Sequence, residues 1–317
     1  MGEWRVPATV LAQLSSDYRP TNPRIESLYQ RAKQAQWNAA TDVDWTLQVP
    51  FGAPLPDDSR YAMASFEASP LARRGRPAWD SFRWELQSWM VSQFLHGEQA
   101  ALVVAARLVE VVPDVESKFY AASQAMDEAR HVEAFSRYLR EKVPQMYPVT
   151  ASLGALLDDV LADSRWDVTA LGMQIIVEAL AMAAFRLADT TFHDDLIKHI
   201  ARLVARDEAR HVSFGVLSLE RVYREMTTTE RADREEMVLD AASLMRRRFL
   251  LEDIWERLDV GMDDGVRYAA NNPLMVKYRQ AIFAKVVTAL DNIGLLTPRV
   301  REGLEQLGLL DFGARRV

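Results

Sequence analysis

The 317-residue chain contains no cysteine. Disulfides, Fe–S clusters and thiolate zinc sites are therefore excluded, leaving His, Asp and Glu as the strong metal ligands. Histidine is also scarce, at five. Alternation of apolar and polar residues with period two is almost absent, which argues against a sheet protein. No uninterrupted apolar run reaches the roughly 18 to 20 residues that span a bilayer. The opening stretch MGEWRVPATVLAQLSSDYRP has no basic region followed by an apolar one, as a signal peptide would. A cytoplasmic protein without membrane contact is expected. Positive charge is in deficit, with 38 Lys and Arg against 45 Asp and Glu and a net charge of −7, which argues against nucleic acid as a partner. The short run Arg246-Arg247-Arg248 reads as a solvated helix end.

What the chain does have is apolar residues, 49% of the total, spaced three and four apart over most of its length, the amphipathic-helix signature. The fold class expected is all-α, a four-helix bundle with additional helices, in a single domain over 1–317. Within it, 1–78 would hold an amino-terminal helix at about 22–37 and an irregular segment, since five prolines (Pro50, Pro54, Pro56, Pro70, Pro77) interrupt residues 39–79. Residues 79–226 would form the bundle, with long helices at about 79–112, 114–142, 166–192 and 195–226 and a short one at 151–163. Residues 227–317 would carry appended helices at about 229–258 and 273–293. Pro113 suits the first turn of the second long helix, and Thr227 with Glu230 resembles a capping box.

Two of the five histidines stand in identical hexapeptides, Asp127-Glu128-Ala129-Arg130-His131-Val132 and Asp207-Glu208-Ala209-Arg210-His211-Val212, an offset of 80 (207 − 127). The same offset carries Glu98, in LHGEQAAL, onto Glu178, in IIVEALAM. Each half therefore reads Glu, thirty residues, Glu-x-x-His (128 − 98 and 208 − 178), as though one helical pair were used twice. A spacing of three puts Glu and His on one helix face. The neighbours on these faces are apolar or small, such as Phe94 and Ala101 about Glu98, and Ile175 and Ala181 about Glu178. Ionised carboxylates there, without counter-charge, would each cost on the order of several kcal/mol. Two divalent ions supply +4 against the four carboxylates, and two neutral imidazoles complete the set. Glu98, Glu128, His131, Glu178, Glu208 and His211 thus match the dinuclear carboxylate centres of four-helix bundles. A duplicated structural salt-bridge network is the alternative. His96, His193 and His199 read as non-ligands; the position four before Glu208 is Val204.

Asp127 and Asp207 each precede a ligand Glu. A metal-bound imidazole generally donates its other N–H to a carboxylate or carbonyl, so these aspartates are candidates for that role, within reach of the opposite helix, with Arg130 and Arg210 balancing their charge. Ordinary surface pairing is the alternative.

At these residues the sequence resembles the ferritin-like di-iron carboxylate superfamily, in particular the branch of ribonucleotide reductase small subunits, bacterial multicomponent monooxygenase hydroxylases and ligand-binding oxidases. The carrying features are DEARH, twice, and GEQAA at 97–101, within residues 79–225. A second stretch, YQRAKQAQWNAATDVDW at 29–45, is similar to the segment that carries a tryptophan in reductase small subunits. The resemblance implies a path from Trp37 through Asp207 to His131; Trp37 as a plain core anchor is the alternative. Several positions depart from the relatives. Phe135 replaces the radical-bearing tyrosine, and Met182 the threonine typical of hydrocarbon monooxygenases. Ala101 and Met173 replace the cross-linking valine and tyrosine of the ligand-binding oxidases, and the extra histidine of the arylamine N-oxygenases is missing.

The resemblance implies an enzyme that holds two iron ions, or manganese and iron, and activates dioxygen to hydroxylate, N-oxygenate or desaturate a small organic substrate. A separate electron-donor protein and a homodimer are further expectations. The rival readings are a ferritin-like iron handler or peroxidase, and a radical-generating subunit.

Overall fold

The computed structural model describes residues 6, 10–15, 18–19, 22–56 and 60–310, and among these no strand occurs. The all-α expectation holds. In chain order the helices are α1 (Pro23–Gln34), α2 (Arg60–Glu67), α3 (Arg76–Val111), α4 (Val115–Glu141), α5 (Ala151–Ala162), α6 (Trp166–Ala170), α7 (Glu178–Arg186), α8 (Ala188–Thr191), α9 (Asp195–Arg224), α10 (Thr228–Arg248), α11 (Glu252–Arg257), α12 (Met262–Asn271), α13 (Pro273–Asn292) and α14 (Pro298–Gln306). A π-helical segment, Leu171–Val177, joins α6 to α7.

Residues 112–114 alone connect α3 to α4, so the two run antiparallel and pack along their length. The run from α6 through α7 pairs in the same way with α9, and α4 meets α9 between the pairs. Around this centre α1 lies on α4 and α9, α5 and α10 lie together over the α3 and π-segment side, and α13 packs on α7. The sequence repeat extends to the helix starts. Asp114 accepts from the Ser117 N–H at 2.8 Å and Asp194, 80 residues later, from the Ile197 N–H at 3.0 Å. Each cap contributes about 1 kcal/mol. Pro113 is therefore not in the first turn of α4 but one residue ahead of the cap, because the Asp114 side chain can satisfy a helix N–H and proline cannot. Thr227 and Glu230 form the expected capping box at α10.

Other expectations need correction. The segment 39–79 contains α2 and a 3-10 turn at Ala72–Arg74, and α3 starts at Arg76. The helix expected over 229–258 stops at Arg248, since Leu251 adopts φ 61° and breaks the run before α11. Neither α12 nor α14 was expected. Helix α12 is short and its buried face includes Gly265, where a Cβ would lie 2.4 Å from the Trp255 ring, so the apolar period is masked by a close-packing glycine. The three arginines that close α10 do not share one environment: Arg247 is exposed, but Arg248 has its Nε buried and its guanidinium over the Trp89 and Phe249 rings. Trp166–Arg186 is long and apolar enough to cross a membrane (mean hydropathy 1.8), although it contains no uninterrupted apolar run; 94% of it is buried inside the fold, as in a core helix.

Candidate metal centre

Four helices each deliver one part of the cluster: Glu98 from the middle of α3, Glu128 and His131 from α4, Glu178 from the first turn of α7, and Glu208 and His211 from α9. All six residues are buried, none more than 4% exposed. They fall into two groups whose ligand atoms lie within 4.8 Å of one another: Glu98, Glu128, His131 and Glu208, and Glu128, Glu178, Glu208 and His211. Glu128 and Glu208 belong to both groups, so each could contribute an oxygen to either one. His131 Nδ1 lies 3.0 Å from Glu98, 3.1 Å from Glu128 and 3.2 Å from Glu208. His211 Nδ1 lies 3.0 Å from Glu128, 3.5 Å from Glu208 and 3.9 Å from Glu178.

One ring nitrogen carries at most one hydrogen, so it cannot serve three carboxylates at once. Both Glu208 oxygens, Glu178 Oε2 and His211 Nδ1 are in fact buried without a hydrogen-bond partner. Buried polar atoms are rarely left so, and two divalent cations would satisfy the set in a way that protons cannot. In the metal-free protein, burial and the neighbouring Glu208 push Glu98 well above the usual carboxylate range, and burial does the same for Glu178. Burial opposes charge on His131 and His211, but the surrounding carboxylates raise both well above the ordinary imidazole value. The donor set of carboxylate and imidazole suits iron or manganese.

Behind the histidines the two hexapeptides cross over. His131 Nε2 lies 3.1 Å from Asp207, and His211 Nε2 lies 3.3 Å from Asp127. Arg130 and Arg210 each contact both aspartates. At 0% and 1% exposure, Asp127 and Asp207 are not a solvated surface pair. Trp37 Nε1 donates to Asp207 at 2.8 Å; its ring stacks near His131 (centroids 6.3 Å apart) and lies under the Arg130 guanidinium. Its neighbour Gln36 donates to Asp127 at 2.9 Å and accepts from Arg130.

Gln36 was not legible as a site residue, and neither were three others. Gln124 donates to Glu178 at 2.8 Å and to Glu128 at 3.2 Å. Gln174, in the π segment, is fully buried with no partner for either amide atom. Tyr120 is fully buried with an unpartnered hydroxyl, and its electrostatic neighbours are His211, Arg210, Asp127 and Glu178. It stands eight residues before Glu128, two helical turns along the same face, which is the signal that could have found it. The three remaining histidines lie outside the cluster: His96 contacts the Tyr147 carbonyl, His199 the Asp42 carbonyl, and His193 the edge of Trp84. Phe135 is fully buried among Phe94 and Phe185, and Val204 is fully buried.

A narrow pocket opens beside the cluster, with Glu98, Glu178 and Glu208 in one part of its wall and Phe94, Ala101, Leu153, Ala181 and Ile282 in its apolar part. The free space within it is small, about 30 Å³.

The sequence profile of the family described as P-aminobenzoate N-oxygenase AurF matches residues 20–294. No curated protein matches the chain. Among solved structures, an R2-like ligand-binding oxidase with aerobically reconstituted Mn/Fe cofactor is similar at 17% identity and TM-score 0.45, over 90% of each chain. A variant of such an oxidase with anaerobically reconstituted Mn/Fe cofactor is similar at 18% identity and TM-score 0.49, over 88% of this chain and 94% of the other.

Proposed function

The chain belongs to the P-aminobenzoate N-oxygenase AurF family and is a ferritin-like, dioxygen-dependent di-iron enzyme, and from that premise we propose that Glu98, Glu128, His131, Glu178, Glu208 and His211 hold its metals. The observation that carries this reading is the pair of four-residue groups sharing Glu128 and Glu208, with carboxylate oxygens buried and unpartnered. Manganese in place of one iron fits the same donors. When bound, the metals supply dioxygen activation, for which amino-acid side chains have no chemistry.

The protein's own residues bind, orient and exclude. Glu98 and Glu178 each belong to one group only and would complete opposite ends of the centre. Asp207 and Asp127 fix the imidazoles of His131 and His211, so that Nδ1 of each faces the carboxylates. Trp37 and Gln36 hold those aspartates in turn. Phe94, Phe135 and Phe185 keep water from one side. The substrate reading is an arylamine whose nitrogen is oxygenated, taken from the family description and supported by the narrow apolar pocket beside the ligands. That pocket also favours an enzyme over an iron store, which needs no organic site. Lack of the additional histidine expected of arylamine N-oxygenases leaves Val204 at the position four before Glu208, so the ligand set here would be four Glu and two His. Electrons would come from a separate donor protein. A homodimer in the cytoplasm, with all of 1–317 as one domain, completes the reading.

The test is metal content. Protein loaded anaerobically with ferrous ion should approach two metals per chain, and the loaded enzyme should convert 4-aminobenzoate to an N-oxygenated product with dioxygen and a reductant. Full metal content in both Glu128→Ala and Glu208→Ala would refute the assignment.

A further inference from the structure

The pocket beside the carboxylates has a second, differently furnished end. Among the described residues, Arg248 is the one cation in its lining. The guanidinium lies 5.6 Å from the Trp89 ring and 5.2 Å from that of Phe249, and makes no hydrogen bond or ion pair with any described residue. Its Nε is buried and unpartnered, and so is the hydroxyl of Tyr278, which lines the same pocket from α13. Gln93 nearby is already committed, donating to the Pro148 carbonyl and accepting from the Thr150 N–H.

A half-buried cation with no anionic partner is costly. Burial pulls the Arg248 pKa down to about 10, which still leaves it charged at neutral pH. Contact with two aromatic faces offsets part of the cost, but satisfies none of its N–H donors. A guanidinium presents those donors as a planar fork that matches a carboxylate, and the phenol adds one more. Position matters as well. Trp89, against which Arg248 lies, is nine residues before Glu98 on α3, about 13 Å along the axis. The metal end is already crowded with carboxylates, so an anionic group finds its only counter-charge at the Arg248 end.

We propose that Arg248 and Tyr278 are the anion-receiving end of the pocket and select substrates carrying a carboxylate remote from the group that is oxidised. The direction of the substrate rests on the oxygenase reading above; the anion end itself does not.

The test is calorimetric titration of metal-loaded and metal-free protein with 4-aminobenzoate and with 4-aminobenzamide, which lacks the negative charge. Wild-type protein is expected to bind the carboxylate about 10- to 100-fold tighter, the scale of a hydrogen-bonded charge pair. Arg248→Gln should abolish the preference, Arg248→Lys should keep part of it, and Tyr278→Phe should reduce it. Equal affinity for the two probes in the wild type, or an undiminished preference in folded Arg248→Gln, would overturn the proposal. Should Arg248→Gln not fold, the wild-type pair and Tyr278→Phe decide the matter. A carboxylate preference in protein that takes up no metal would refute the oxygenase reading and support the anion site.

Discussion

Replacing Asp207 by Asn probes the link between the hexapeptides more sharply than removing a ligand does. Asp207 accepts from Trp37 at 2.8 Å, from His131 at 3.1 Å and from Arg130 at 3.3 Å, and its other oxygen meets Arg210. His131 and Arg210 hold its carboxyl well below the usual range in spite of burial. The amide has nearly the same shape, but it turns one acceptor into an NH2 facing a guanidinium and leaves Asp127 alone against two arginines. The His131 ring would lose both its charged partner and its fixed orientation. Metal affinity should therefore fall about 10- to 100-fold, or about 1.4 to 2.8 kcal/mol. Breaking a buried pair can cost about 3 to 5 kcal/mol in stability. Here Asp127 still faces both arginines, so a loss of about 1 to 3 kcal/mol is expected. Competition with a chelator measures the first quantity and thermal unfolding of metal-free protein the second. Trp37→Phe is the control: it removes one hydrogen bond to the Asp207 carboxylate, about 1.5 to 3 kcal/mol of stability, but leaves the charge and the His131 contact in place, and should change metal affinity by a few-fold at most. Folded Asp207→Asn with wild-type affinity for both metals would refute the orienting role.

The remaining predictions follow from the same geometry. Glu98→Ala and Glu178→Ala should each weaken one metal more than the other, whereas Glu128→Ala and Glu208→Ala should weaken both; elemental analysis at limiting metal distinguishes the patterns, and identical behaviour of all four would contradict the shared groups. Because Glu98, Glu178, His131 and His211 all have raised pKa values in the metal-free cluster, metal uptake should release protons and affinity should rise with pH; a binding enthalpy independent of buffer ionisation would exclude this. Gly215→Ala would place a Cβ 2.5 Å from Gln174 Cβ and 3.2 Å from Ile175 Cδ1, so it should cost about 1 to 3 kcal/mol by overpacking, read as a lowered Tm; an unchanged Tm would show that the π segment yields freely.

What the sequence made legible was whatever repeats or keeps period. The hexapeptides, and Glu98 and Glu178 at the same offset, could be placed on helix faces from spacing alone, and the helix order follows from the apolar period. The π segment was hidden because LGMQIIV is apolar apart from Gln174, so widening the helical turn changes no pattern. Gln36 was hidden because its partners lie 91 and 94 residues away. Arg248 was misread because an arginine at a helix end is ordinarily solvated and favoured by the helix dipole. Only the tertiary arrangement, with Trp89, Phe249 and Tyr278 around it, takes its Nε out of water.

The duplication has a consequence that two independent sites would not share. Each hexapeptide contributes a Glu and a His to the cluster, and an Asp to the histidine of the other hexapeptide. Damage to one copy is therefore felt by both halves. The charges divide in the same way. In the outer ring, Asp127 and Asp207 are matched by Arg130 and Arg210, two against two, and close contacts run between all four. That ring has no charge left over for the interior. The four inner carboxylates must then be balanced within the cluster, by protons on the carboxylates and imidazoles in the metal-free protein or by two divalent cations in their place. A variant that neutralises a carboxyl group held well above its usual range, such as Glu178→Gln, should accordingly unfold at a higher temperature than wild type when metal-free and lose that advantage once metal is added. If the variant is less stable than wild type without metal, the inner carboxylates are stabilised by something other than the protons and metals invoked here.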